Sequence, residues 1–115
     1  MASAEDTAQR DEAYSEFKDA VNMSAARLEK WLDTDESKQV GQKSGGESTG
    51  HASGRRIVRL LRTKKADLTD SDVQHMRKVS GYVKRHLQQE PSKEDVETSR
   101  WRYSLMNWGH DPLKR

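Results

Sequence analysis

The 115-residue sequence contains no cysteine and only two prolines, and aromatic residues make up only 6% of it. Without cysteine, the protein has no disulfide framework, no thiol nucleophile and no thiolate metal site. Hydrophobic residues account for 31%, well below the roughly 45–50% that is usual for globular domains. The composition therefore predicts one small domain with a small core and a large surface.

Long apolar runs and a recognisable signal peptide are also missing from the sequence. No stretch approaches the roughly 18 apolar residues that a membrane-spanning helix needs. We therefore expect a soluble, cytoplasmic protein that contacts no membrane, and a nucleoid-associated one if its source is bacterial.

Charge is distributed unevenly along the chain, although the net charge is only +2. Residues 1–50 carry 6 Lys/Arg against 11 Asp/Glu, a net of −5, whereas residues 51–115 carry 15 against 8, a net of +7. Such asymmetry indicates a basic working surface in the second half of the chain. It does not identify the partner of that surface.

Apolar residues recur at helical spacing through most of the chain, and no alternation of four or more residues indicates a strand. The predicted fold class is all-α, a compact bundle of about five helices. The small, polar residues 1–10 are predicted to be a disordered tail, followed by a single helical domain over residues 11–115. The predicted helices begin at residue 11, after an N-cap at Ser24, at residue 54, after an N-cap at Thr69, and at residue 95.

Residues 33–53 differ in composition from the helical segments around them. They are rich in Gly, Ser, Thr, Gln and Lys, and Val40 and Ala52 are their only apolar residues. Since such a segment cannot offset the entropy of ordering, we predict a long mobile loop between the second and third helices. Lys43 and His51 in this loop could form an arm along a nucleic acid backbone, and a plain linker is the alternative.

The last two predicted helices supply aromatic residues to the core. Trp101, Leu105 and Trp108 share one helix face, which favours burial over stacking on nucleic acid bases. Beside the aliphatic face of the fourth helix, a second contact stripe contains His75, Val79, Tyr82 and His86. Because His75 and His86 lie about 16 Å apart along the helix axis, they cannot hold one metal ion, and we predict that they pack.

Two glycines have different predicted roles. Gly81 lies in the middle of the fourth helix, on its polar side, and costs up to about 1 kcal/mol relative to Ala. Gly109 follows the fifth helix and supplies a left-handed residue that ends it.

The strongest functional feature is a run of basic residues in the third predicted helix. Arg55, Arg59 and Arg62 recur at i, i+4 and i+7 on its polar face, and no acidic residue lies between Arg55 and Lys65. Like charges at this spacing slightly destabilise a helix, so a polyanion partner would account for them. The alternative is a solvated face, or arginine side chains packed against the acidic first helix.

The fourth helix adds basic residues on its polar face, so the candidate nucleic-acid-binding set spans two helices. The set comprises Arg55, Arg56, Arg59, Arg62, Lys64, Lys65, Arg77, Lys78, Lys84 and Arg85, with Lys43 and His51 from the loop. The fourth helix begins with Asp70 and Asp72, which suit its dipole but not the base-reading end of a recognition helix. We therefore expect contacts to the phosphate backbone of DNA with weak sequence preference.

Ten short stretches resemble a family of small uncharacterised bacterial and fungal proteins, a domain of unknown function. They are FKDAVN (17–22), LEKWL (28–32), DESK (35–38), VG (40–41), GH (50–51), SGRRIV (53–58), KKADL (64–68), HMRKV (75–79), GYV (81–83) and WRYSLMNWGHDP (101–112). Members of that family are generically labelled DNA-binding proteins, which implies polyanion binding here and supplies no catalytic residues. They typically carry Glu at the third position of the second helix, completing a capping box, where this sequence has Arg27.

Three function classes follow from these observations. The first is a small DNA-binding protein. The second is a protein-interaction module, such as a stress-related adaptor, whose acidic first helix and basic second half pair with each other or with another chain, giving a homo-oligomer. The third class is a small hydrolase or transferase built around His51 or His110. Since no Ser/His/Asp spacing or paired carboxylates indicate catalysis, we expect no enzyme, and no cofactor, metal site or small-molecule substrate either.

Overall fold

The computed structural model describes residues 4–40, 48–92 and 95–114, and within these ranges the fold is all-α, as predicted. Six α-helices occur there, and no strand does. They are α1 (Ala4–Ala20), α2 (Ala25–Leu32), α3 (Asp35–Gln39), α4 (Thr49–Leu61), α5 (Asp70–Leu87) and α6 (Arg100–Asn107). Short 3-10 turns at Lys65–Asp67 and Val96–Thr98 precede α5 and α6.

Two helix pairs are joined by the C-terminal helix. The helix α1 packs along α5, α2 packs on α4, and α6 contacts α2, α3, α4 and α5. Leu105 and Trp108 are buried at this centre, in one core with Phe17 and Ile57. Trp101 is partly buried against the same core. The aromatic residues of the last helix therefore pack inside the fold, as their shared face predicts.

The helix α1 is longer than the sequence pattern predicts, because it begins at Ala4 and not at residue 11. Residues 4–10, predicted to be disordered, are thus helical. Polar contacts hold this end: Arg10 donates to the Leu68 carbonyl at 3.2 Å and pairs with Asp70, and a backbone carbonyl of α1 accepts from Arg77 at 3.2 Å. Hydropathy patterns do not register contacts of this kind.

The predicted mobile loop over residues 33–53 has helical residues at both ends, which accounts for the sixth helix. The hydroxyl of Thr34 caps α3, and the Ser48 hydroxyl caps α4 by accepting from the His51 N–H at 3.0 Å. The buried Ser37 ties α3 to α6, because its carbonyl accepts from Asn107 Nδ2 at 3.0 Å. Residues 41–47, with Lys43 among them, lie outside the described ranges.

A buried carboxylate holds the C-terminal segment. Asp111 is 2% exposed, accepts from Arg102 Nε at 3.1 Å and pairs with Arg27. Burial would raise the pKa of Asp111, but hydrogen bonds from Arg102, the Leu113 N–H and Arg27 lower it to about 2. Arg27 therefore stabilises the C-terminal segment from α2.

Gly54 and Gly81 should respond in opposite ways to substitution by Ala. A Cβ atom at Gly54 would lie 2.5 Å from the Asn107 carbonyl oxygen and 2.6 Å from Leu32 Cδ2, because α4 and α6 cross closely there. At Gly81 the nearest atom is the end of the flexible Arg85 side chain, at 3.3 Å. We expect Gly54→Ala to lower the free energy of unfolding by about 2 kcal/mol through overpacking, and Gly81→Ala to raise it by up to about 1 kcal/mol through helix propensity. Urea denaturation measures both changes, and a neutral Gly54→Ala would contradict the close crossing.

Candidate nucleic-acid interface

The basic face of α4 divides between two neighbouring helices. At 100° per residue, Arg59 lies midway around α4 between Arg56 and Arg62, about 60° from each. The ion pairs divide the face, since Arg56 and Arg59 meet Asp72 of α5, whereas Arg62 meets Glu29 of α2. The basic face predicted from Arg55, Arg59 and Arg62 is therefore not one uninterrupted surface.

At the junction of α4 and α5, two guanidinium groups approach one carboxylate oxygen. Arg56 Nη2 lies 3.3 Å and Arg59 Nη2 lies 3.7 Å from Oδ1 of Asp72, and Arg56 also donates to Ser71 Oγ at 2.9 Å. The other oxygen of Asp72 accepts from the Thr69 N–H at 3.1 Å and completes the capping box that begins α5. This backbone hydrogen bond is the main cause of the lowered pKa of Asp72, and Arg56 adds to the effect.

On its other side, α4 forms a cleft of about 560 Å³ with α2, the residue that follows α2, and Lys38 of α3. Its lining includes Glu29, Leu32, Asp33, His51, Arg55 and Val58. Nε2 of His51 donates to the Leu32 carbonyl at 2.8 Å, which ties the start of α4 to the end of α2. Arg62 lies 2.9 Å from Glu29, but both side chains are more than half exposed, so the pair contributes little stability.

Other cations of the predicted set face α1. Lys65 Nζ lies 2.7 Å from Oδ1 of Asp11 and 5.1 Å from the centre of the Tyr14 ring. Arg77 donates to a backbone carbonyl of α1, and Lys84 follows it by seven residues, on the same side of α5. These contacts set basic side chains from outside the arginine run against the acidic first helix. Arg59 and Arg62, for which that packing was the alternative, meet α5 and α2 instead.

The side of α5 that adjoins α4 presents further exposed cations. Lys78 and Arg85 follow Ser71 at intervals of seven residues, so the three lie along one line of the helix at steps of about 10 Å. Lys78, Arg85 and the exposed Lys64 form no ion pair with any residue in the described ranges. We call the surface formed by Arg56, Arg59, Lys78 and Arg85 the basic seam.

The fold corrects one expectation about the arginines of α4, which lack an acidic neighbour in the sequence. Arg56, Arg59 and Arg62 each have a carboxylate partner that belongs to another helix. Sequence reasoning placed Asp72 in the first turn of α5 but missed it as a partner of α4. The spacing from Thr69 to Asp72 signals the capping box, and no local pattern signals that α4 passes beside it.

A ladder of stacked rings lies beside the basic seam. The centre of the Tyr82 ring lies 4.1 Å from the centre of the Trp108 ring and 3.9 Å from that of the His86 ring. The ring centres of His75 and Trp108 lie 6.3 Å apart. Ser53 Oγ lies 2.9 Å from Nε2 of His75. These contacts confirm the second contact stripe of α5 and its packing role.

Burial and neighbouring cations both lower the pKa of His75. Burial is the largest cause that lowers the pKa of His75, and Arg56, Lys78 and Arg59 lower it further, to about 4, against the opposing charge of Asp72. Three cations from two helices thus act on the pKa of this ring, and one carboxylate does not balance them.

Within the described ranges, no helix is both long and apolar enough to cross a membrane. Comparison of the chain with curated proteins and with solved structures finds no match. A family model described as "Protein of unknown function (DUF3140)" matches residues 16–106, which span from α1 into α6. Since the match includes most of the chain and all elements of the candidate interface, the protein belongs to the DUF3140 family.

Proposed function

We propose that this protein binds duplex DNA through the phosphate backbone, with weak sequence preference, and that the basic seam is the main contact surface. The observation that carries the proposal is the convergence of Arg56 and Arg59 on the single carboxylate of Asp72, next to a side of α5 that exposes Lys78 and Arg85. Cations gathered in this way can bind phosphates and release counterions. DNA is the polyanion we name because the family resemblance of the sequence implies it.

The start of α5 favours backbone contacts over base reading. In a helix-turn-helix, the N-terminal residues of the second helix meet the base edges, whereas α5 begins with Asp70 and Asp72. The connection from α4 to α5 also contains the 3-10 turn Lys65–Asp67 and is longer than the usual turn of three or four residues. Weak sequence preference follows from both features.

Ion pairs in the basic seam leave its cations available to a phosphate. Arg59 is 68% exposed, and its contact with Asp72 is 3.7 Å long. The exposed guanidinium group and the long contact make this pair weak, so a DNA phosphate can replace the carboxylate at small cost. Lys78 and Arg85 have no such pair within the described ranges.

Replacing Arg59, Lys78 and Arg85 together by Ala should weaken DNA binding and its salt dependence. Because each side chain supplies up to one phosphate contact, the slope of log affinity against log salt should fall by about 3 or somewhat less. Fluorescence anisotropy of a labelled duplex, titrated at about 50 and 200 mM salt, measures the slope.

The matched control removes the same charge from the side of the molecule where α1 lies. It combines Lys65→Ala, Arg77→Ala and Lys84→Ala, and because these cations face α1 it should lower the slope by less than the basic-seam variant. If the slope fell equally in the two variants, DNA binding would depend only on the net charge of the protein and not on the basic seam. An unchanged slope in the basic-seam variant would contradict the proposed surface.

A protein-interaction module is the second candidate, favoured by the pairing of Lys65 with Asp11 and of Arg10 with Asp70. In these pairs, charged groups of α1 match charged groups of the second half, and two copies of the chain could exchange them. This candidate predicts self-association that weakens with salt, with no DNA binding at about 50 mM salt. Light scattering at two ionic strengths, beside the anisotropy titration, distinguishes it from the first.

A further inference from the structure

The junction of α4 and α5 brings two guanidinium groups together and leaves some of their hydrogen-bond donors without a close acceptor. Charge-assisted hydrogen bonds between such groups and a carboxylate are typically about 2.7–2.9 Å long, whereas Arg56 and Arg59 lie 3.3 and 3.7 Å from Oδ1 of Asp72. Nε of Arg56 is buried and donates no hydrogen bond within the described part of the chain. One carboxylate oxygen is thus shared by two cations that retain unused donors.

The two oxygens of Asp72 have separate partners. Oδ2 accepts from the Thr69 N–H and caps α5, whereas Oδ1 faces Arg56 and Arg59. The arginines can therefore turn to another anion while the cap of α5 stays intact. This separation makes the ion pairs exchangeable without unfolding the helix.

The junction is open on the side where an anion would arrive. Arg59 is 68% exposed and Ser71 is exposed, whereas the side chain of Asp72 is only 14% exposed beneath them. A phosphate offers several acceptor oxygens to two guanidinium groups and the Ser71 hydroxyl, where Asp72 offers one. An arriving phosphate would meet the arginines before it met the carboxylate.

We propose that Arg56 and Arg59 form a phosphate subsite in which the Asp72 carboxylate is a resident competitor of the nucleic acid phosphate. The inference rests on the proposed function and adds to it a built-in limit on affinity. Asp72 holds the arginines together in the free protein and must release them when a phosphodiester binds. The affinity of the free protein for DNA is then lower than its cations alone would give.

Asp72→Asn tests the competitor directly. Asn keeps an oxygen that can accept from the Thr69 N–H but no longer carries the charge that attracts Arg56 and Arg59. Anisotropy of a labelled mixed-sequence duplex at about 50 mM salt should show affinity about fivefold above wild type, the size of one weak ion pair. The matched control is Asp70→Asn, which removes an equal charge one residue before Ser71, from a carboxylate that pairs with Arg10. It should raise affinity by less than about twofold.

Each outcome decides between the two proposals. A larger gain for Asp72→Asn than for Asp70→Asn supports the subsite. Equal gains would overturn the subsite and leave DNA binding in place, whereas no binding by wild type or by either variant would overturn both. A thermal melt checks that Asp72→Asn is folded. If it is not, Arg59→Ala takes its place, and it must weaken binding more than Arg77→Ala does for the subsite to stand.

Discussion

Acidification from pH 7.5 to pH 4 should lower the free energy of unfolding by about 3 kcal/mol, with His75 as the main cause. The pKa of His75 is about 4 in the folded protein, against an ordinary value of 6.5. As the pH falls, the unfolded chain takes up the proton first, so protons favour the unfolded state over this interval. The contribution of His75 is therefore complete above pH 6.5 and is lost between pH 6.5 and pH 4.

Burial and neighbouring charges both make the protonated ring of His75 unfavourable. Burial is the larger cause, and the ring stacks on Trp108 at 6.3 Å between centres. Arg56, Lys78 and Arg59 add positive charge around it, which the Asp72 carboxylate opposes only in part. A proton on this ring would add a fourth positive charge to a partly dehydrated site.

Urea denaturation of wild type and His75→Gln, at intervals between pH 7.5 and pH 4, measures this effect. Gln can still hydrogen-bond to Ser53 but does not titrate, so its stability should change much less with pH. Burial also lowers the pKa of His86, which supplies part of the remaining slope. If the free energy of unfolding of His75→Gln fell as steeply on acidification as that of wild type, His75 would be ruled out as the cause. Below this interval Asp111, with a pKa of about 2, should destabilise both proteins further.

The helix framework follows largely from local sequence patterns. Ser24 and Thr69 are N-caps, as predicted, and Gly109 has the left-handed conformation expected of it, with φ of 84°. Each of these features depends on one residue and its nearest neighbours along the chain. A single sequence therefore carries enough information to place them.

Elements stabilised by distant polar groups were not predictable in this way. The helix α3 has five residues, and its buried side chain is the polar Ser37, which Asn107 of α6 contacts. The first turns of α1 likewise depend on Arg10, which contacts Leu68 and Asp70. Hydropathy patterns detect apolar faces and give no weight to such contacts, so both segments look unstructured from composition alone.

The candidate site was predictable in its residue types but not in its arrangement. The sequence identifies the arginines of α4, whereas the fold decides which of them meet α5 and which meet α2. The close approach at Gly54, where a Cβ atom would strike α6, helps to fix how α4 crosses the core. That crossing brings Arg56 and Arg59 to Asp72, which is more than ten residues away in the sequence.

Replacing Asn107 by Ala should lower the free energy of unfolding by about 4 kcal/mol. Asn107 is 1% exposed, and its Oδ1 accepts from Trp31 Nε1 at 2.8 Å and from the Ser37 hydroxyl. Its Nδ2 donates to the Ser37 carbonyl at 3.0 Å. Truncation leaves three polar groups without a partner, and each costs about 1–3 kcal/mol where it stays buried. The three costs together span about 3–9 kcal/mol, and because Trp31 is partly exposed the total lies near the lower end of that span.

Ser37→Ala is the matched control, because it removes only one of these three hydrogen bonds. It should cost about 1 kcal/mol in urea denaturation, since Asn107 keeps its bonds to Trp31 and to the backbone of α3. An Asn107→Ala variant that costs no more than Ser37→Ala would contradict the anchoring role. Because α6 is a main neighbour of α3, Asn107→Ala should also release that helix locally. Hydrogen exchange should then show loss of protection for the α3 amide of Gln39, while the amides of α5 stay protected.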